Sequence, residues 1–215
     1  MTAAPFRFFT RFNLTELTGL KAADLDQLLQ LLTEVPGACI YHHTHRFLQQ
    51  HQYLSPEPPN DFAYWITQIL GERELGERLA SIDIVSFVRI RDLRNEIIRT
   101  IRDYLEEYPK AHARFSSPGE EFYFMKSVSF VLPTGYAAKD LREFRAILSR
   151  ITFDSLYFHV FEARLRLENG SNDFSVWFES MGETKLAGAF TRLDPYTSTM
   201  EQLRGTMLKI LDNQD

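Results

Sequence analysis

The sequence predicts a mainly α, α+β protein: a tandem duplication of a helical module led by a short strand, with the copies in a pseudo-twofold arrangement. Three observations carry this. Residues recur in order along the chain. Apolar residues in each half follow helical spacing. Each half also opens with an alternating aromatic run of strand character. Thr18, Gly19, Ala22, Asp24 and Leu25 return as Thr134, Gly135, Ala138, Asp140 and Leu141, and Tyr41 and His43 return at the same offset as Tyr157 and His159. Asn60, Asp61, Phe62 and Trp65 return as Asn172, Asp173, Phe174 and Trp177, which include the only two tryptophans. The match continues through Gly71 and Gly182, Leu75 and Leu186, and Leu93-Arg94 and Leu203-Arg204. The first repeat is placed at residues 1–108, the second at 121–215, and a linker at 109–120.

Within a copy the elements follow in order. Phe6 to Leu14 and Phe122 to Leu132 read as strands, since Val128, Phe130 and Leu132 alternate with Ser129 and Val131. The Thr-Gly pair is expected to turn the chain. Leu25, Leu28, Leu29 and Leu32 then recur at helical spacing, as do Leu141, Phe144, Ile147 and Leu148, which predicts a helix from Ala22 to Val35 in the first copy. A second helix from Ala38 to Tyr53 carries the histidines and ends at Pro56, Pro58 and Pro59. Asn60 or Asp61 caps a third helix, because a short side-chain oxygen can accept the open backbone N–H groups of a first turn. Leu75, Leu79 and Ile82 mark a fourth helix. Ile90, Leu93, Ile97, Ile101 and Leu105 mark the apolar face of a fifth, with Arg91, Arg94, Arg99 and Arg102 mostly facing water and Pro109 as its stop.

Composition narrows the function. Lys and Arg number 24 against 29 Asp and Glu, with no basic arm, so neither nucleic acid nor an anionic lipid surface is an expected partner. The lone Cys39 excludes an internal disulfide and a multi-cysteine zinc site, and fits a cytoplasmic location. No apolar run reaches membrane-spanning length, and Met1 to Phe12 lacks the order of a signal peptide, so a soluble protein is expected. Gly-rich phosphate loops, G-x-S-x-G and H-E-x-x-H are all missing.

Reactive side chains concentrate in Tyr41-His42-His43-Thr44-His45-Arg46-Phe47, continuing to Gln49 and His51. At about 100° per residue, His43 shares a face with Ile40, while His42, His45, Arg46 and Gln49 share the other. His43 and Asp61, like His159 and Asp173, read as structural pairs, because a buried imidazole needs a partner. The alternative makes His43 a general base oriented by Asp61. The opposite face differs between copies: His42, His45 and Gln49 stand where Phe158, Phe161 and Leu165 stand in the second. It is expected to meet water or line a polar cleft, which makes His42, His45, Arg46 and Gln49 the candidate ligand residues. Two imidazoles alone are too few for a metal, so no metal or cofactor is assigned.

The run Tyr41 to Phe47, the Asn60-Asp61-Phe62 to Trp65 segment and its second occurrence at Asn172 to Trp177 resemble an uncharacterised prokaryotic family of unknown function over nearly the whole chain. Shorter helical modules with a similar histidine, Asn-Asp-Phe and Trp recur in otherwise unrelated microbial proteins. The resemblance implies a portable scaffold or interaction module and supplies no activity, cofactor or catalytic residue. The expected function is therefore a non-enzymatic binding, regulatory or protein-interaction module with an unknown protein or small-molecule partner. The alternative is an enzyme or metalloprotein using the histidine cluster of the first repeat.

Overall fold

A computed structural model describes residues 4–46, 60–167, 171–193 and 199–213. The chain is mainly helical, with one two-stranded antiparallel sheet. Its order begins β1 (Phe6–Ala22), α1 (Leu25–Glu34), α2 (Gly37–Tyr41) and a π-helical turn (His42–Arg46). It continues with α3 (Asp61–Gln68), α4 (Arg73–Ala80) and α5 (Ile90–Glu107), then β2 (Phe122–Ala138), α6 (Leu141–Leu148) and α7 (Phe153–Tyr157). A second π-helical turn (Phe158–Glu162), α8 (Ala163–Leu167), α9 (Asp173–Ser180), α10 (Thr184–Thr191) and α11 (Met200–Asp212) complete it.

Both strands are longer than their apolar runs suggest. The expected turn at Thr-Gly does not occur, because Gly19 and Gly135 adopt φ of +79° and +81° inside the strands and the chain runs on to Ala22 and Ala138. A left-handed residue is open to glycine at little cost, so the step bends the strand without ending it. The threonine before it supports the bend. Thr18 Oγ1 donates to Phe124 O at 2.5 Å and accepts from Leu20 N–H at 3.1 Å, and Thr134 Oγ1 donates to Phe8 O at 2.8 Å and accepts from Tyr136 N–H at 3.3 Å.

Packing divides the chain into two compact units, one of residues 13–128 and one of residues 1–12 with 129–215. In the 13–128 unit, α1 buries Leu25, Leu28 and Leu32, while α5 buries Leu93, Ile97, Ile101 and Leu105, as the helical spacing requires. Arg94 is not one of the water-facing arginines: its Nη2 donates to Val35 O at 2.6 Å, satisfying a carbonyl past the end of α1. Asn60 caps α3 by accepting Ala63 N–H at 2.8 Å, and its amide donates to Leu79 O at 3.1 Å, tying α3 to the last turn of α4. Trp65 packs edge-on to Phe122 and its indole N–H donates to Glu120 O at 2.7 Å.

The other unit has an aromatic core. Phe6, Phe144, Phe174, Trp177 and Phe178 meet with ring centroids 5.0–5.8 Å apart, mostly edge-to-face or tilted, which the ring quadrupole favours. Asn172 caps α9 through Ser175 N–H at 2.9 Å and donates to Phe190 O at 3.0 Å. Arg204 Nη2 donates to Ile151 O at 2.8 Å, and the Trp177 indole donates to Ala4 O at 2.9 Å. Among the described residues, no helix is long and apolar enough to cross a membrane.

Candidate functional site

The two π-helical turns position every histidine of interest. A π turn closes on the fifth residue, so side-chain directions depart from the 100° wheel. His42, His43, Thr44 and His45 are all buried, and so are all residues from Phe158 to Glu162. The expected hydrated face at His42 and His45 is therefore closed to bulk water: successive residues of this turn sweep most of its circumference, and both rings are buried. His42 Nδ1 hydrogen-bonds Ser127 Oγ at 3.0 Å, and the His45 ring stacks on Tyr41 with centroids 5.7 Å apart and lies 3.2 Å from Thr44 Oγ1. Burial first, then neighbouring His43, lowers the His42 pKa to about 4, so this ring is neutral near pH 7. Arg46 is half-buried at the end of the turn. Gln49 and the expected continuation of the helix to Tyr53 lie outside the described residues.

His43 and His159 each spend both ring nitrogens. His43 Nδ1–H donates to Asp61 Oδ2 at 2.7 Å, while its Nε2 accepts Met125 N–H at 3.0 Å. His159 Nδ1–H donates to Asp173 Oδ2 at 2.6 Å, while its Nε2 accepts Phe9 N–H at 2.8 Å. The acceptor role of Nε2 fixes the tautomer, and each imidazole thus caps an N–H on a strand that, among the described residues, has no further strand beside it. A general base needs that same lone pair for a substrate proton, so the geometry leaves neither ring one to offer. Burial depresses the His159 pKa against the opposing pull of Asp173. For Asp173 burial acts upward, but hydrogen bonds from His159 and Arg166 outweigh it and hold the carboxyl below its ordinary range. A neutral imidazole bonded to a carboxylate satisfies both shifts.

Beside His159 and Asp173, within the unit of residues 1–12 and 129–215, lies a cleft of about 720 Å³. Phe6, Phe9, Phe158, Leu167, Val176 and Trp177 make its apolar wall, and Arg7, Arg166 and Asp173 are its charged residues. Arg166 is held on two sides: its guanidinium carbon stands 4.1 Å from the Phe158 ring centroid, and its Nη2 donates to Asp173 Oδ2 at 2.6 Å. Sequence reasoning missed this site. Phe158 reads as a core residue, and Arg7 and Arg166 are single cations without a motif; only the fold brings them to one cleft. Among the described residues, no cluster of three or more His, Cys, Asp or Glu side chains is placed to hold a metal ion.

A mainly helical α+β chain with these buried histidine–aspartate pairs falls into a family whose chemistry is not established. The chain belongs to the family of unknown function DUF5752, whose model matches residues 3–212. It is similar to the solved structure of OrfY from Thermoproteus tenax, with 29% sequence identity and a TM-score of 0.84, over 100% of this chain and 98% of that one. No curated protein matches it.

Proposed function

We propose that the protein is a non-enzymatic binding module of regulatory or protein-interaction type, and that it binds a small-molecule ligand in the cleft beside Trp177. The observation that carries the reading is the cleft itself. Its volume of about 720 Å³ lies in the range of organic ligand sites, and its wall is mainly apolar with a few convergent polar groups. The neighbouring imidazole is committed to Asp173 and Phe9, which favours holding a ligand over transforming it. The scaffold descends from a tandem duplication with repeats at 1–108 and 121–215 joined by 109–120. Supporting that descent, the bonds of His43, Asn60, Trp65 and Arg94 recur at His159, Asn172, Trp177 and Arg204. The buried free thiol of Cys39 fits a cytoplasmic protein.

A thermal-shift screen of metabolites on the wild type and a Val176→Trp variant tests this. Val176 is exposed and lines the cleft, so the bulkier indole obstructs the site with little effect on the core. A ligand at ten times its Kd adds about 1.4 kcal/mol, a Tm rise of about 3–5 °C for a chain this size, and the variant should lose that rise. No shift from any compound, or turnover of one, overturns the reading.

One observation favours a second reading. Buried His42 and His45 in a π-helical turn, near Arg46, form a polar cluster where the other half has Phe158 and Phe161. Such turns occur often at functional sites, so His42, His45, Arg46 and Gln49 are the second candidate ligand set, or the site of an enzyme or metalloprotein. The His42→Phe/His45→Phe variant copies the other half. Stoichiometric metal or ligand binding present in the wild type and lost in this variant would establish the second reading.

A further inference from the structure

We propose that the cleft ligand is an amphipathic organic anion, a flat aromatic or branched apolar body carrying one acidic head. This deepens the binding reading and rests on it. The cleft holds two cations, Arg7 and Arg166, against one carboxylate, Asp173. Asp173 accepts the Nδ1–H of His159 and an Nη2–H of Arg166, so the one carboxylate offsets one of the two cations. The site therefore presents a net positive charge to a guest. Arg166 is fixed by the Phe158 face and by Asp173, so its planar fork loses little side-chain freedom when it meets an oxyanion. Arg7 stands exposed on β1. An acidic head would neutralise this excess charge. Phe6, Phe9, Val176 and Trp177 would cover the apolar body. A bare inorganic anion would leave that apolar wall in water, and a volume near 720 Å³ suits a larger guest.

Calorimetric titration of the full chain with 2-naphthylacetate, its neutral amide 2-naphthylacetamide and the cation 2-naphthylethylammonium tests the class. The acetate should bind at least tenfold tighter than the amide, and the ammonium weakest. Arg166→Met should bring acetate and amide within threefold of each other, Arg166→Lys should keep part of the preference, and Val176→Trp should abolish binding of both. Higher salt should weaken the acetate and leave the amide unchanged. Equal binding of acetate and amide by the wild type refutes the anionic class while leaving the cleft as a binding site. Failure of all three to bind the folded wild type counts against the cleft itself. An acetate preference that survives Val176→Trp overturns both. Should Arg166→Met fail to fold, Arg7→Gln at its exposed position and the salt series carry the same comparison, and an acetate preference unmoved by either refutes the proposal.

Discussion

A buried imidazole destabilises a fold unless both nitrogens find partners, and His43 and His159 meet that condition through a carboxylate on one side and a strand N–H on the other. Removing the carboxylate orphans a buried donor. Asp173→Ala should therefore cost about 2–4 kcal/mol, read as a shift in urea midpoint at constant slope. The pH dependence follows from the lowered histidine pKa values. The unfolded chain takes up protons from about 6.5 downward, whereas folded His42 resists until about 4 and His159 also titrates low. The contribution of His42 is complete above 6.5 and is lost as the pH falls toward 4, and that of His159 is lost in the same direction. Asp173, also lowered, loses its contribution further down, as the pH falls below its ordinary 3.8. Unfolding free energy measured between pH 7 and 4.5 should drop, and His42→Phe should flatten the curve by about 1–2 kcal/mol after allowance for residual solvent screening. At this scale the kinds of partner were legible, since a histidine on an apolar face calls for one. The backbone acceptor role of Nε2 was not, because no side chain encodes it.

Helix caps were the most legible feature at the next scale, because Asn60 and Asn172 each precede an apolar helical pattern. Their second bonds, to Leu79 O and Phe190 O, require an amide. Asn60→Asp keeps the cap acceptor but sets an oxygen against the buried Leu79 carbonyl, so it should destabilise by about 2–3 kcal/mol in chemical denaturation, more than a cap-only account allows. Strand length was hidden by the Thr-Gly pair, whose composition is that of a turn even where it only bends a strand. Gly135→Ala should cost about 1–2 kcal/mol, because φ of +81° strains any residue with a Cβ although open space surrounds the position. An unchanged midpoint in this variant would show that the bend relaxes. The π-helical turns were also illegible, since an added residue per turn leaves composition and apolar count unaltered, and the 100° wheel that places His42 and His45 does not hold on them.

Across the whole chain, sequence order and packing order differ. The unit of residues 13–128 takes in Phe122, Phe124 and Met125 of β2, and the other unit takes Phe6, Phe8 and Phe9 from the start of the chain. An alternating run in a sequence does not say which helices its strand will cover. Residues 1–108 and 121–215 expressed apart should each fail to unfold cooperatively, and should regain a cooperative transition when mixed or coexpressed; two independently stable fragments would contradict this assignment of strands. The cleft at Trp177 depends on the same arrangement, because Phe6, Arg7 and Phe9 reach it from the chain start. The central claim, that the paired histidines spend both ring nitrogens on the fold, is tested most directly by nitrogen-15 NMR of the imidazoles at pH 7. His43 and His159 should both carry a proton at Nδ1 with Nε2 in the hydrogen-bond acceptor range. A proton on Nε2 of either ring in place of Nδ1, or a His159 whose pKa is not lowered, would contradict the claim.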